Sequence, residues 1–139
     1  MTWLTWSVLS AFFAALTAIL AKVGVAGVDA NLATAIRTSV VVVFTWLIAS
    51  GTRQSAGFQA FSGKTWLFLV LSGLATGLSW LCYFRALQAG QASRVAPIDK
   101  LSVVLVIVLG AAFLGERLTW SKGVGGLLIV AGAITIALE

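Results

Sequence analysis

The chain has 139 residues, 60% of them hydrophobic and 9% charged, with a mean hydropathy of +1.07. A soluble domain is about a quarter charged, and a chain this apolar could not keep its hydrophobic runs from water, which excludes a soluble globular protein. The net charge of +5 comes from basic residues scattered singly, which leaves no cluster suited to nucleic acid or to a polybasic lipid site.

Five apolar runs, at 3–22, 31–50, 65–88, 92–114 and 120–138, each approach the length of about 20 residues that crosses the hydrocarbon as a helix. The first, in "MTWLTWSVLSAFFAALTAILAKVG", has no basic residue ahead of its apolar core and is longer than a signal-peptide core, so it reads as a retained span. It closes at Lys22 and "GVAGVD", where Asp29 or Asn31 can cap the second helix. The second run ends at "SGTRQSAGFQAFSGK", the one long polar loop, with Gly51 and Gly63 as breakers. The third carries the single cysteine, Cys82, which has no internal disulfide partner and is expected to pack as a small hydrophobe. It ends in "FRALQAGQAS", with Gly90 as a helix stop and Arg85 placed to snorkel. The fourth begins at once and ends in "LGERLTWSKG", whose three charges mark a water-facing turn. Trp3, Trp66 and Trp120 fall at the starts of runs, as interfacial tryptophans do. The expected fold is all-α and integral to the membrane, a single domain of five transmembrane helices over residues 1–139.

An odd number of crossings puts the two termini on opposite faces. With the N-terminal face called A, Arg53, Lys64, Arg117 and Lys122 lie at face A and Lys22, Arg85 and Arg94 at face B. So even a count gives the positive-inside rule little to act on, and insertion in both orientations is the expectation.

Charges inside a span face a cavity, a partner or another helix. Counted from face B at 1.5 Å per residue, Arg37 lies roughly 9 Å deep, and Asp99 and Lys100 roughly 10–12 Å. Trp80, Tyr83 and Thr17 fall within about two turns of that layer, so these six residues are the candidates for substrate contact. Pro97 is expected to free backbone carbonyls near residue 93, which suits a broken helix at a binding site. Asp99 is the candidate coupling-proton site; a structural pairing of Asp99 with Arg37 or Lys100 is the competing role. Pro97 and Glu116 are assigned with Asp99 to coupling or gating, although Glu116 beside Arg117 also fits a solvated helix-end pair. Gly73 with Gly77, and Gly125 with Gly132, each occupy one helix face and allow close packing.

These features resemble one repeat of the EamA-type family of the drug/metabolite transporter superfamily. The resemblance rests on "LATAIRTSVVV" with Arg37, "YFRALQAGQASRVAPI" with its Tyr83-to-Leu87 turn, "LGERLT" and "GGLLIVAGA", and it spans almost the whole chain. It departs from the family pattern at "PIDK", where a typical repeat is uncharged. The resemblance implies one half of an inverted-repeat transporter fold, completed by a second copy, antiparallel, or by a paralogous five-helix subunit.

The function expected is secondary transport of a small metabolite by alternating access, in a bacterial inner membrane. No nucleotide-binding loop is present, so the energy would come from a gradient. The layer charge of Arg37, Lys100 and Asp99 leans toward an anionic or zwitterionic solute. An accessory membrane subunit without transport of its own is the alternative. An enzyme is not expected, since histidine is absent and acids are few; for the same reason no metal or other cofactor is expected.

Overall fold

The computed structural model describes residues 2–52 and 61–139, and in these the chain is helical with no strand. The helices are α1 (Trp3–Gly24), α2 (Ala30–Gly51), α3 (Gly63–Ala89), α4 (Ala92–Asp99), α5 (Ser102–Phe113) and α6 (Trp120–Ala137). Because α4 and α5 together make one apolar segment, Ala92–Phe113, five segments are long and apolar enough to cross a membrane. The expected all-α membrane fold is therefore present. Most of the polar loop expected between spans two and three, Arg53 included, lies outside the described residues.

Helix starts are set by capping groups. In hydrocarbon no water satisfies the first N–H groups of a helix, so a side-chain acceptor has added value. Asp29 Oδ1 accepts from the Asn31 and Leu32 N–H at 2.9 and 3.0 Å, Ser62 Oγ from Thr65 N–H at 3.2 Å, and Thr119 Oγ1 from Lys122 N–H at 3.3 Å. The Ser62 contact explains why α3 starts at Gly63, two residues before the apolar run. Gly63 thus opens the helix instead of interrupting it. Replacement of Asp29 by alanine is expected to lower stability by about 1 kcal/mol, read as an earlier unfolding midpoint in detergent; an unmoved midpoint would show that the cap contributes nothing.

The chain divides into two compact units, Val23–Gln88 and Met1–Lys22 with Ala89–Glu139. In the first, the buried side chains are Val25, Ala30, Thr34, Phe84 and Leu87, all near the start of α2 and the end of α3. Polar groups tie this end together. Gln88 Nε2 donates to the carbonyls of Val25 and Val28, and Arg85 Nη2 donates to Asn31 Oδ1 at 3.0 Å. Arg85 is therefore held by α2, beyond the snorkelling expected of it, while Asn31 serves as that acceptor and Asp29 as the cap. Gly27, at φ +74°, makes the turn between α1 and α2, a conformation that costs glycine little.

In the second unit α4 and α5 both pack on α6. Gly126 is buried facing Val104 and Ile107, whose methyls lie 3.9–4.0 Å from where a Cβ would stand. Lys22 Nζ donates to the Gly90 carbonyl at 2.7 Å, just past the C-terminus of α3, where a cation satisfies an orphan carbonyl and favours the helix dipole. Lys22, at which the first apolar run closes, thus also satisfies a backbone carbonyl.

Most apolar side chains of the spans are exposed on a single copy, among them Phe12, Val43, Leu69 and Leu127. Cys82 is exposed too, so the packing role expected of it is not filled within the single chain. The helix face it occupies is turned away from the small core around Phe84 and Leu87. Trp3 and Trp120 open α1 and α6 and are exposed, as interfacial tryptophans should be.

Candidate functional site

Arg37 sits in the second turn of α2, roughly 10 Å along the axis from Ala30. Its Cζ lies 4.3 Å from the ring centroid of Trp80 and 5.4 Å from that of Phe84. Trp80 and Phe84 are four apart on α3 and so share a face, and the half-buried guanidinium lies against both rings. The depth argument from the sequence selected Arg37 and Trp80 but missed Phe84; the i, i+4 spacing was the signal that could have found it. Tyr83, on the next face of α3, and Thr17 of α1 are half-buried.

The second charged group lies at the break between α4 and α5. Pro97 has no N–H to give the carbonyl of residue 93, as expected, but the helix does not break there: α4 runs through Pro97 and ends at Asp99. The first turn of α4 is held by the Arg94 and Val95 N–H groups, both donating to the Gln91 carbonyl at 3.0 Å. The ladder gives way one turn later. Leu101, Val103 and Val104 each donate to the carbonyl three residues back, at 3.0 Å, a tight 3₁₀ stretch of the kind that marks hinges within helices. At this break Asp99 Oδ2 pairs with Lys100 Nζ at 3.4 Å, and the two side chains are 38% and 58% exposed. Of the partners the sequence left open for Asp99, the structure shows Lys100.

Glu116 belongs to the α5–α6 turn. Gly115 takes φ +68°, which lets the Glu116 N–H turn back to the Gly110 carbonyl at 3.1 Å. The carboxylate then bonds Lys122 Nζ at 3.0 Å, so its partner is Lys122 and not the adjacent Arg117. A Cβ at Gly110 would stand 3.4 Å from Glu116 Cδ, which explains a buried glycine that the sequence reading passed over. An apolar groove of about 150 Å³ beside this turn is lined by Val104, Ile107, Leu118, Gly126 and Lys122 among others; none of the sequence-selected substrate residues lines it. Among the described residues no group of three or more His, Cys, Asp or Glu could hold a metal ion.

A family model for the EamA-like transporter family matches residues 1–138. The chain belongs to that family. It is 52% identical over 137 residues to the uncharacterized transporter in the cobO 3' region of Sinorhizobium sp, a match that covers 99% of this chain and 97% of that protein. It is also 36% identical over 78 residues to the uncharacterized transporter YvbV of Bacillus subtilis, covering 52% of this chain and 26% of the relative. An uncharacterized protein of Methanocaldococcus jannaschii is 28% identical over 76 residues, 55% of this chain and 56% of its own. No solved structure matches the chain. Within the EamA-like family, the "LGERLT" stretch by which the sequence resembles its members has a physical role in this chain: Gly115 makes the turn, Glu116 clasps Lys122, and Thr119 caps α6.

Proposed function

We propose that this EamA-like protein is a secondary transporter that moves a small metabolite by alternating access, with two five-helix domains paired antiparallel in a cell membrane. The observation that carries the reading is the interrupted fourth span, with Asp99 and Lys100 at the interruption. An ionisable pair at membrane depth marks an ion or substrate path, and interrupted helices are where such paths coordinate their cargo. Asp99 carries the coupling proton, with Lys100 beside it and Thr17 assigned to solute contact in the same unit; in the other unit Arg37, Trp80 and Tyr83 are assigned to solute contact. Pro97 and the Glu116–Lys122 clasp shape the ends of the moving segment.

Flux of a solute panel into liposomes containing the purified protein tests transport itself. Gradient-dependent uptake of at least one solute is expected, and uptake equal to empty liposomes for the whole panel favours the accessory-subunit reading. The antiparallel pair has its own test. With Cys82 replaced by serine and a cysteine placed in the α5–α6 turn, labelling is expected from both sides of the membrane in comparable amounts, because the basic residues are nearly evenly divided between the faces. Labelling from one side alone would remove the dual-orientation pair.

A further inference from the structure

We infer that Arg37 is an oxyanion receptor, and that the transported solute carries a carboxylate or phosphate group which this guanidinium binds; the inference rests on the transporter reading and names its class of substrate. The chain has four acidic residues in all. Asp29 is occupied by the α2 N-terminus, Asp99 pairs with Lys100 and Glu116 with Lys122, and Glu139 is the last residue, beyond the end of α6. Within the unit Val23–Gln88 that holds Arg37, the one described acid is Asp29, which the α2 N-terminus already engages. Among the described residues of that unit its side chain makes no hydrogen bond or ion pair; it lies against the Trp80 and Phe84 rings, and the Tyr83 phenol acts on it electrostatically.

Those rings attract the cation but offer no oxygen to its five N–H donors. A guanidinium within a span is retained only where water or a counter-charge meets it, and its fixed fork matches the two oxygens of a carboxylate or phosphate. Packing against Trp80 and the buried Phe84 holds that fork in one place. A cationic solute would meet like charge at this position, and a neutral one would leave the guanidinium as it is.

The test uses purified protein in phospholipid-free detergent, with sodium acetate, sodium benzoate or sodium phosphate compared with sodium chloride at equal ionic strength. At least one oxyanion is expected to raise the wild-type unfolding midpoint above that in chloride, and Arg37→Gln to abolish the rise. Arg37→Lys keeps the charge and loses the fork, so the same anion should bind about tenfold more weakly. Equal midpoints in all four salts would overturn the inference, as would a rise that persists in Arg37→Gln. Should Arg37→Gln fail to fold, unweakened binding in Arg37→Lys overturns it equally. A rise that needs added phosphatidylglycerol identifies a lipid headgroup as the occupant and rejects the solute assignment. Flux of a cationic or neutral solute, unchanged in Arg37→Lys, rejects the substrate class and leaves the transporter reading standing. Oxyanion binding with no flux of any solute supports the receptor and rejects the transporter reading instead.

Discussion

Asp99→Asn is expected to reduce gradient-driven uptake in liposomes to background while exchange of labelled for unlabelled solute continues. The substitution keeps the shape of the side chain and removes the one acid at the break in the fourth span. A coupled carrier must bind and release a proton on each cycle to harness a proton gradient. Exchange needs only that the loaded carrier reorient. Loss of both activities together with loss of folded protein would point to a structural role, since a neutral amide at this position would leave Lys100 with an unpaired charge. In that case Asp99→Asn combined with Lys100→Gln should restore folded protein, because the orphaned cation would be gone. The structure directs the rescue to Lys100, whose Nζ lies 3.4 Å from Asp99 Oδ2. Normal driven uptake in Asp99→Asn would reject the coupling role outright.

Much of the fold was legible because span length is a property of the bilayer: a helix that crosses hydrocarbon needs about 20 apolar residues whatever surrounds it. The five spans follow from that alone. The caps were legible where an acceptor precedes a run, as with Asp29, but Ser62 was hidden inside a polar loop whose composition masks its end. Breaks within a span were harder to locate. Pro97 announces a weak point, yet which carbonyl is left over depends on how the neighbouring turns are bonded, and that moved the break to Lys100 and Leu101. Longer-range polar contacts were less legible still. That Arg85 meets Asn31, Gln88 the carbonyls of Val25 and Val28, and Lys22 the carbonyl of Gly90 depends on which ends of the helices meet. Hydropathy carries no information about such pairings. Arg37 was found by cost, since a charge in a span demands an explanation, whereas Phe84 looked like any other apolar residue of α3.

If two copies pair as proposed, Gly125→Leu combined with Gly132→Leu is expected to convert that dimer to monomer in detergent, with the helical content of the chain unchanged. The two glycines are seven apart and share one face of α6, and a Cβ at either meets nothing within 4 Å in the chain. Leucines there can therefore extend outward without displacing the protein's own side chains. Helices in lipid associate through close backbone approach, because hydrocarbon tails offer no hydrophobic driving force for it. In the proposed pair, bulk on that face acts between copies. Gly126 provides the contrast. It faces Val104 and Ile107 of α5, so Gly126→Leu should drive side-chain atoms into α5 and lower the unfolding midpoint of the chain itself. Gly73 and Gly77 form the other open pair, four apart on α3. A dimer that survives the α6 double substitution but is lost on Gly73→Leu with Gly77→Leu places the contact on α3. Survival in both double variants excludes glycine-mediated pairing at either helix.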